Sequence, residues 1–379
     1  MQRKYIGMGI GIISVIFMLF LIGKGERPIK EHIEVKKVTV EEKIQKKVKS
    51  MTLDEKIGQL FVPEASSDDV ANAYNIKKYH LGGMLLMGNA YMGDRAQFKA
   101  KIKQFQKNAQ IPLTISTDQE GGLVSRLSYN PAISKRSYYP SPQEAYQTGG
   151  MKNVKYWYSQ TAIDLKSLGI NWNFAPIADV SLDPNNYIFG RTIGKGYKGT
   201  GDYIKDVIPE IQKHNVAASL KHFPGYGTAA NTHVGSATSY KSVAQYEKED
   251  FVPFKDGIKA GADSIMVTHI IMSKVDPYVP ASLSKKDIDL LRKELHFKGV
   301  IVSDSLQMGA VSDYVALTGI SRDVTAFRAG NDVLLSDDFV QGIPEIKQAI
   351  TDKQISMKRL DKSVERILMM KHKIGLKVY

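Results

Sequence analysis

The residues best equipped for chemistry fall in one stretch, Val216–Gly235, VAASLKHFPGYGTAANTHVG. A short apolar run gives way there to Lys221, His222, Pro224, three glycines, Asn231 and His233. An apolar run bounded by Gly and Pro reads as a buried strand feeding a loop. Polar side chains at such an exit are where α/β enzymes keep their catalytic groups. For one lone histidine, a glycine-rich turn is the plainer reading. Two histidines, a lysine and an asparagine at one exit favour a site.

The elements that must position these residues recur along the chain. Short apolar runs at 59–62, 82–87, 113–117, 173–177, 216–220, 264–268, 299–303 and 332–335 read as strands. Amphipathic segments at 94–108, 154–168, 203–214, 246–260 and 285–295 read as helices between them, and 355–373 supplies a final one. Thr52, with Glu55 three residues on, is a capping box that opens the domain. Eight strand–helix repeats predict an α/β fold, a single (β/α)8 TIM barrel. A doubly wound sheet is the alternative, but no Gly-rich dinucleotide turn follows an early strand.

In a barrel the residues just after each strand converge on one face. Here those are Asn89, Asp118, Glu120, Asp179, Lys221, His222, His269, Asp304 and Asp337. No HxxxH spacing points to a metal, and no GxSxG elbow points to a serine hydrolase. Lys221 has the type for a Schiff base, yet beside His222 and facing carboxylates it suits a hydroxyl-rich ligand better. Asp304, in VIVSDSLQM, is a carboxylate at the end of an apolar strand, suited to attack an anomeric carbon. Trp172, Arg126 and Arg191 would suit a sugar face and its polar substituents.

Composition narrows the classes further. The 379 residues contain no cysteine, which excludes disulfides and thiolate metal sites. Of the net charge of +13, residues 1–50 carry +6, from eleven Lys and Arg against five Asp and Glu. No dense basic run interleaved with aromatics follows, which argues against nucleic acid. A mild attraction to an anionic cell surface is the better use of the excess. Ile6–Gly23 is an uncharged stretch of 18 residues behind Arg3 and Lys4. At about 1.5 Å per residue it reaches about 27 Å, enough to span a bilayer. No A-x-A-like cleavage site follows, so the expectation is an uncleaved membrane anchor over 1–23. A charged stalk over 24–50 and the barrel over 51–379 would follow. The chain would then sit in the cell membrane by a single pass with its barrel outside the cell, or be secreted if the segment is cleaved.

At this point the residues carry a resemblance. MTLDEKIGQLFV, LGGMLLM, TDQEGGLVSRL, GINWNFAPIADV, GRTIG, LKHFPGYG, AGADSIMVTHI, PASLS, GVIVSDSLQM and AGNDVLL follow one another in order. Together they resemble the bacterial β-N-acetylglucosaminidases of glycoside hydrolase family 3, from about Met51 to the last helix. The resemblance implies a (β/α)8 barrel that removes β-linked N-acetylglucosamine from peptidoglycan-derived or related glycans, without a cofactor. Asp304 matches the nucleophile of the covalent glycosyl intermediate. Asp118 matches the carboxylate that grips sugar hydroxyls, and Arg126, Arg191, Lys221 and His222 match the other sugar-binding residues. His233 matches a histidine acid/base, carried on a mobile loop with an aspartate two residues before it.

The same loop departs from the family pattern, KHFPGHGDT, two variable residues, then DSH. KHFPGYGTAANTH is one residue shorter, with Tyr226 for a histidine and Asn231 for the partner aspartate. Leu123 stands where the family often has arginine. An aspartate stabilises the imidazolium, whereas asparagine orients the ring without supplying charge. Two expectations follow: a retaining exo-β-N-acetylglucosaminidase, or a catalytically impaired relative that binds N-acetylglucosamine-containing wall glycan as a binding or scaffolding module.

Overall fold

The computed structural model describes residues 38–227 and 229–379. The expected anchor over 1–23 and the stalk up to residue 37 lie outside the described residues. Among those described, no helix is long and apolar enough to cross a membrane.

The unit Thr39–Tyr379 is built on a curled, six-stranded sheet. Its order is Gly83–Leu85, Thr114–Thr117, Trp172–Asn173, Ala217–Phe223, Ser264–Val267 and Val300–Ser303, every neighbour parallel. Every residue of these strands is buried. That explains their continuous apolar runs, since parallel strands are covered on both faces. The two other expected strands, 59–62 and 332–335, are present only as single parallel bridges. Phe61 pairs with Leu334, Val302 with Val333, and Glu64 with Leu85, so the bridges run from one edge strand to the other. Pro63, without an N–H, ends the first of these ladders after Val62. The strand expected at 173–177 is regular only at Trp172–Asn173, and Pro176 likewise interrupts it.

The helices follow their start signals. Asp94, Ser141, Thr52 and Ser242 each cap a helix in a reciprocal box with a Gln or Glu three residues on. The segment expected at 246–260 is two helices, Val243–Lys248 and Phe251–Lys259. The segment expected at 285–295 is Lys285–Asp289 followed by a wider turn over Leu290–Glu294.

One expectation is corrected. Residues 40–50, assigned to the stalk, form the helix Val40–Ser50, capped by Thr39 and Glu42. It buries Ile44 and Val48 in the main core and packs on the last helix, Met357–Lys373. Two apolar residues four apart make a stripe too narrow to stand out among six Lys and Glu, yet burial of each contributes about 1.5–3 kcal/mol.

At the strand starts, the fully buried carboxylate of Asp332 collects Arg292, Arg359 and Arg366. It also accepts from Ser363 Oγ at 2.5 Å and from the Ile301 N–H at 3.0 Å. This hub ties the last helix to the sheet and leaves the opposite, C-terminal end of the strands free for chemistry.

Candidate active site

Asp118, Lys221, His222 and Asp304 sit where strands end, and Arg126, Arg191, Asn231 and His233 come from the turns and loops beyond them. Asp118 follows Thr114–Thr117, and Glu120 lies in the short hairpin Gln119–Gly121 with Val124–Ser125. The Asn173 side chain fixes that hairpin, accepting from the Gln119 N–H at 3.0 Å and donating to the Gln119 carbonyl at 2.9 Å. Arg191 closes the turn Phe189–Arg191, Lys221 and His222 end the strand Ala217–Phe223, and Asp304 follows Val300–Ser303. The Asp304 N–H donates to the Val267 carbonyl at 2.9 Å, which holds the residue across the exit of the neighbouring strand.

These residues line one cavity of about 400 Å³. Asp118, Arg126, Arg191, Lys221, His222, His233 and Asp304 all face it, and Asn231 stands behind His233. Asn89 does not reach it and borders a separate surface depression. Trp172, expected to suit a sugar face, is fully buried, and its Nε1–H donates to Ser264 Oγ at 2.9 Å. It is a core residue, because the strand turns it inward.

One wall is an ion network centred on Glu120, whose side chain has no exposure. Arg191 clasps it through two bonds of 2.8 and 2.9 Å, and Lys221 Nζ lies 2.6 Å from it. Lys221 also reaches Asp118 at 2.5 Å. Burial alone would raise the Glu120 carboxyl, but the Arg191 and Lys221 cations hold it far below the carboxylate range. Burial likewise opposes the Lys221 charge, yet Asp118 and Glu120 outweigh it and raise the ammonium. The wall therefore presents fixed donors and acceptors, as vicinal hydroxyls require.

His222 is fixed from both sides. Asp179 accepts from its Nδ1 at 2.6 Å, so Nε2 is the acceptor that faces Arg191 Nη2 at 3.2 Å. The same Asp179 accepts the backbone N–H groups of His222 and Tyr226 at 3.1 and 2.8 Å.

Asp304 lines the same cavity. Burial would raise its carboxyl, but His269, His222, His233 and the Ser305 N–H together hold it below the usual value. His269 is fully buried: its Nε2 donates to the Ser305 carbonyl at 2.9 Å, and its Nδ1 accepts from Ser282 Oγ at 2.7 Å. Its role is support beneath Asp304, not contact with the cavity. A carboxylate held ionised against such a cavity has the properties of a nucleophile.

His233 overhangs the cavity from the loop after Gly227. Asn231 Oδ1 accepts both its backbone N–H, at 3.0 Å, and its ring Nδ1, at 2.7 Å. The backbone donor identifies that atom as the oxygen, so the neutral ring carries its proton on Nδ1 and leaves Nε2 to exchange protons. His233 is exposed on its outer side, but partial desolvation at the cavity rim lowers its imidazole below the ordinary pKa, and Asp304 only partly offsets this.

Sequence reasoning placed Glu120 and Asp179 in the ring without their roles, which depend on partners far away in sequence. Glu64, Gln307, Thr232 and Thr268 it missed. Glu64 and Asp337 share the cavity's far wall, where the Glu64 N–H donates to Asp337 at 2.8 Å and burial raises both carboxyls. Nothing in the local pattern around Glu64 marks it. Among the described residues no group of His, Asp and Glu is arranged to hold a metal ion.

Comparison with known proteins gives this geometry a context. The chain is 29% identical over 341 residues to a β-N-acetylglucosaminidase/β-glucosidase of Cellulomonas fimi, covering 85% of this chain and 58% of that protein. It is 29% identical to the β-hexosaminidase LpqI of Mycobacterium tuberculosis, covering 84% and 82%. The structure of a family 3 β-N-acetylglucosaminidase from Paenibacillus superposes with a TM-score of 0.79 at 30% identity, covering 86% and 63%. The chain thus spans between half and two thirds of the length of some relatives, with 58% of the first and 54% of a Pseudoalteromonas piscicida β-hexosaminidase. The model of the glycosyl hydrolase family 3 N-terminal domain matches residues 52–370, and the chain belongs to that family.

Proposed function

We propose that this chain is a retaining exo-β-N-acetylglucosaminidase acting on peptidoglycan-derived or related glycans. The observation that carries the reading is the convergence of the Glu120–Arg191–Lys221–Asp118 wall, Asp304 and His233 on one cavity. In the first step an Asp304 oxygen bonds to the anomeric carbon. The bond to the leaving oxygen breaks, and that oxygen takes the proton from His233 Nε2. In the second step neutral His233 takes a proton from water, whose oxygen displaces Asp304 and regenerates the carboxylate. Asp118, Arg191, Lys221 and His222 hold the hydroxyls of the sugar at the closed end of the cavity, and Arg126 borders it. The wider reading is a closed (β/α)8 barrel held outside the cell by an anchor over residues 1–23, supported by the edge-to-edge bridges and by the uncharged Ile6–Gly23 stretch.

Asn231 favours a second reading, a glycan-binding relative with little turnover, because it gives the His233 imidazolium no charge. Hydrolysis of 4-nitrophenyl N-acetyl-β-glucosaminide by wild type and Asp304→Ala separates the two. Turnover that disappears in the variant supports the enzyme. Equal rates sink it, and tight N-acetylglucosamine binding without turnover establishes the binder.

A further inference from the structure

The altered loop carries its own fastening. Tyr226, which stands where the resemblance expects histidine, is 2% exposed, and its hydroxyl lies 2.5 Å from Thr232 Oγ1 and 3.1 Å from Thr268 Oγ1. Thr232 immediately precedes His233, and both threonines are fully buried. Thr268 is itself fixed at the end of the strand Ser264–Val267, where its N–H donates to the Phe223 carbonyl at 2.9 Å. The Tyr226 ring meets His222 edge-on, with centroids 5.1 Å apart, and its N–H donates to the Asp179 carboxylate that also holds His222. Around it Ile188, Ala237 and Ile270 form a small apolar cluster separate from the main core.

The loop is clasped from the other side as well. The carbonyls of Thr232 and His233 accept from the N–H groups of Ala310 and Gly309, both at 3.3 Å, at the start of the helix behind Asp304. A Cβ on Gly309 would stand 2.9 Å from the His233 carbonyl oxygen, so this approach requires glycine. Tyr226 does not border the cavity, so it touches no substrate.

We propose that Tyr226 is a positioning residue: its hydroxyl, through Thr232, fixes His233 over Asp304. The inference rests on the glycosidase reading. A general acid acts only within hydrogen-bond reach of the leaving oxygen, so a tie one residue away sets how often His233 is in place. A histidine at 226 has no hydroxyl to make this tie. The shortened loop is on this account refastened, not decayed.

The test uses the full chain and two substrates, a β-linked N-acetylglucosamine disaccharide and 2,4-dinitrophenyl N-acetyl-β-glucosaminide, whose leaving group needs no proton. Tyr226→Phe should lower kcat/KM on the disaccharide about tenfold and change the aryl substrate less than about twofold. Thr232→Val should repeat the pattern, and Thr232→Ser should restore wild-type rates. A parallel fall on both substrates, no fall on the disaccharide, or a Thr232→Ser variant as poor as Thr232→Val overturns the proposal. If wild type hydrolyses neither substrate, the glycosidase reading fails by itself. The tie is then read from the His233 ring resonance, assigned with His233→Ala: a sharp wild-type signal that broadens in Tyr226→Phe supports it, and identical spectra overturn it.

Discussion

The ring Nδ1 of His233 donates to the side-chain oxygen of Asn231 at 2.7 Å, and that oxygen also receives the His233 backbone N–H. Asparagine thus reproduces the orienting half of an Asp–His pair and omits the charge. The ring has the correct tautomer, with Nε2 toward the cavity. What it lacks is stabilisation of the protonated form. Asn231→Asp supplies a carboxylate at the same distance, which raises an adjacent imidazole by about 1 pKa unit or more. The expected outcome is a roughly tenfold gain in kcat/KM on a disaccharide near neutral pH, with little change on 2,4-dinitrophenyl glycosides. A gain on the aryl substrate alone would contradict the assignment.

The same geometry sets the pH dependence. Under the proposed mechanism the acid form of His233 is the active one in the first step, and it is lost as pH rises through the His233 pKa. Because burial lowers that pKa, the alkaline limb of kcat/KM on a disaccharide should fall below the ordinary histidine value of about 6.5. The acid limb reports Asp304, whose carboxyl is held below its usual value, so activity should persist well into acidic solution. In Asn231→Asp the alkaline limb should move up and the acid limb should stay. An alkaline limb above neutrality in the wild type would show that the His233 imidazole is not lowered in the free protein.

Much of this site was legible before the fold was known, for a physical reason. Strand-exit residues such as Asp118, Lys221, His222 and Asp304 sit beside apolar runs, and that placement shows in the sequence. Glu120 and Asp179 were visible only as charges, because their partners Arg191 and His222 lie 71 and 43 residues away. Thr232 and Thr268 gave no signal, since a threonine hydroxyl is informative only once its neighbours are known. Trp172 misled for the converse reason: an aromatic near a strand end suits a sugar or a core equally, and strand direction decides.

Glu120 is the keystone of the ion network that walls one side of the cavity. Glu120→Gln keeps the shape but leaves Arg191 and Lys221 facing each other without the carboxylate between them. Breaking a buried pair in this way costs about 3–5 kcal/mol. The expected result is a lower Tm together with a raised KM, because Arg191 loses its clasp and Lys221 is left with Asp118 alone. A variant with unchanged Tm and KM would show that the network is dispensable.

The helix Val40–Ser50 gives a test of where the folded unit begins. Ile44 and Val48 are 1% exposed, whereas Lys46 on the same helix faces solvent. Ile44→Ala should cost about 2 kcal/mol and Lys46→Ala close to nothing. Equal melting curves for both variants would return residues 40–50 to a stalk.

Asp332 provides the sharpest stability test, because it lies away from the cavity. Its carboxylate has no exposure and serves Arg292, Arg359, Arg366, Ser363 and the Ile301 N–H at once. Asp332→Ala leaves three guanidinium groups crowded without a counter-charge, the situation in which removing one partner of a buried pair costs about 3–5 kcal/mol. Burial and the neighbouring arginines already depress Arg292 to about 10 with Asp332 present. Without the carboxylate that depression deepens, and the helix Met357–Lys373 loses its tie to the sheet. Denaturation should show a large drop in midpoint, while N-acetylglucosamine affinity of the remaining folded protein stays unchanged. A loss of affinity without a loss of stability would mean that the strand starts communicate with the cavity at their opposite ends.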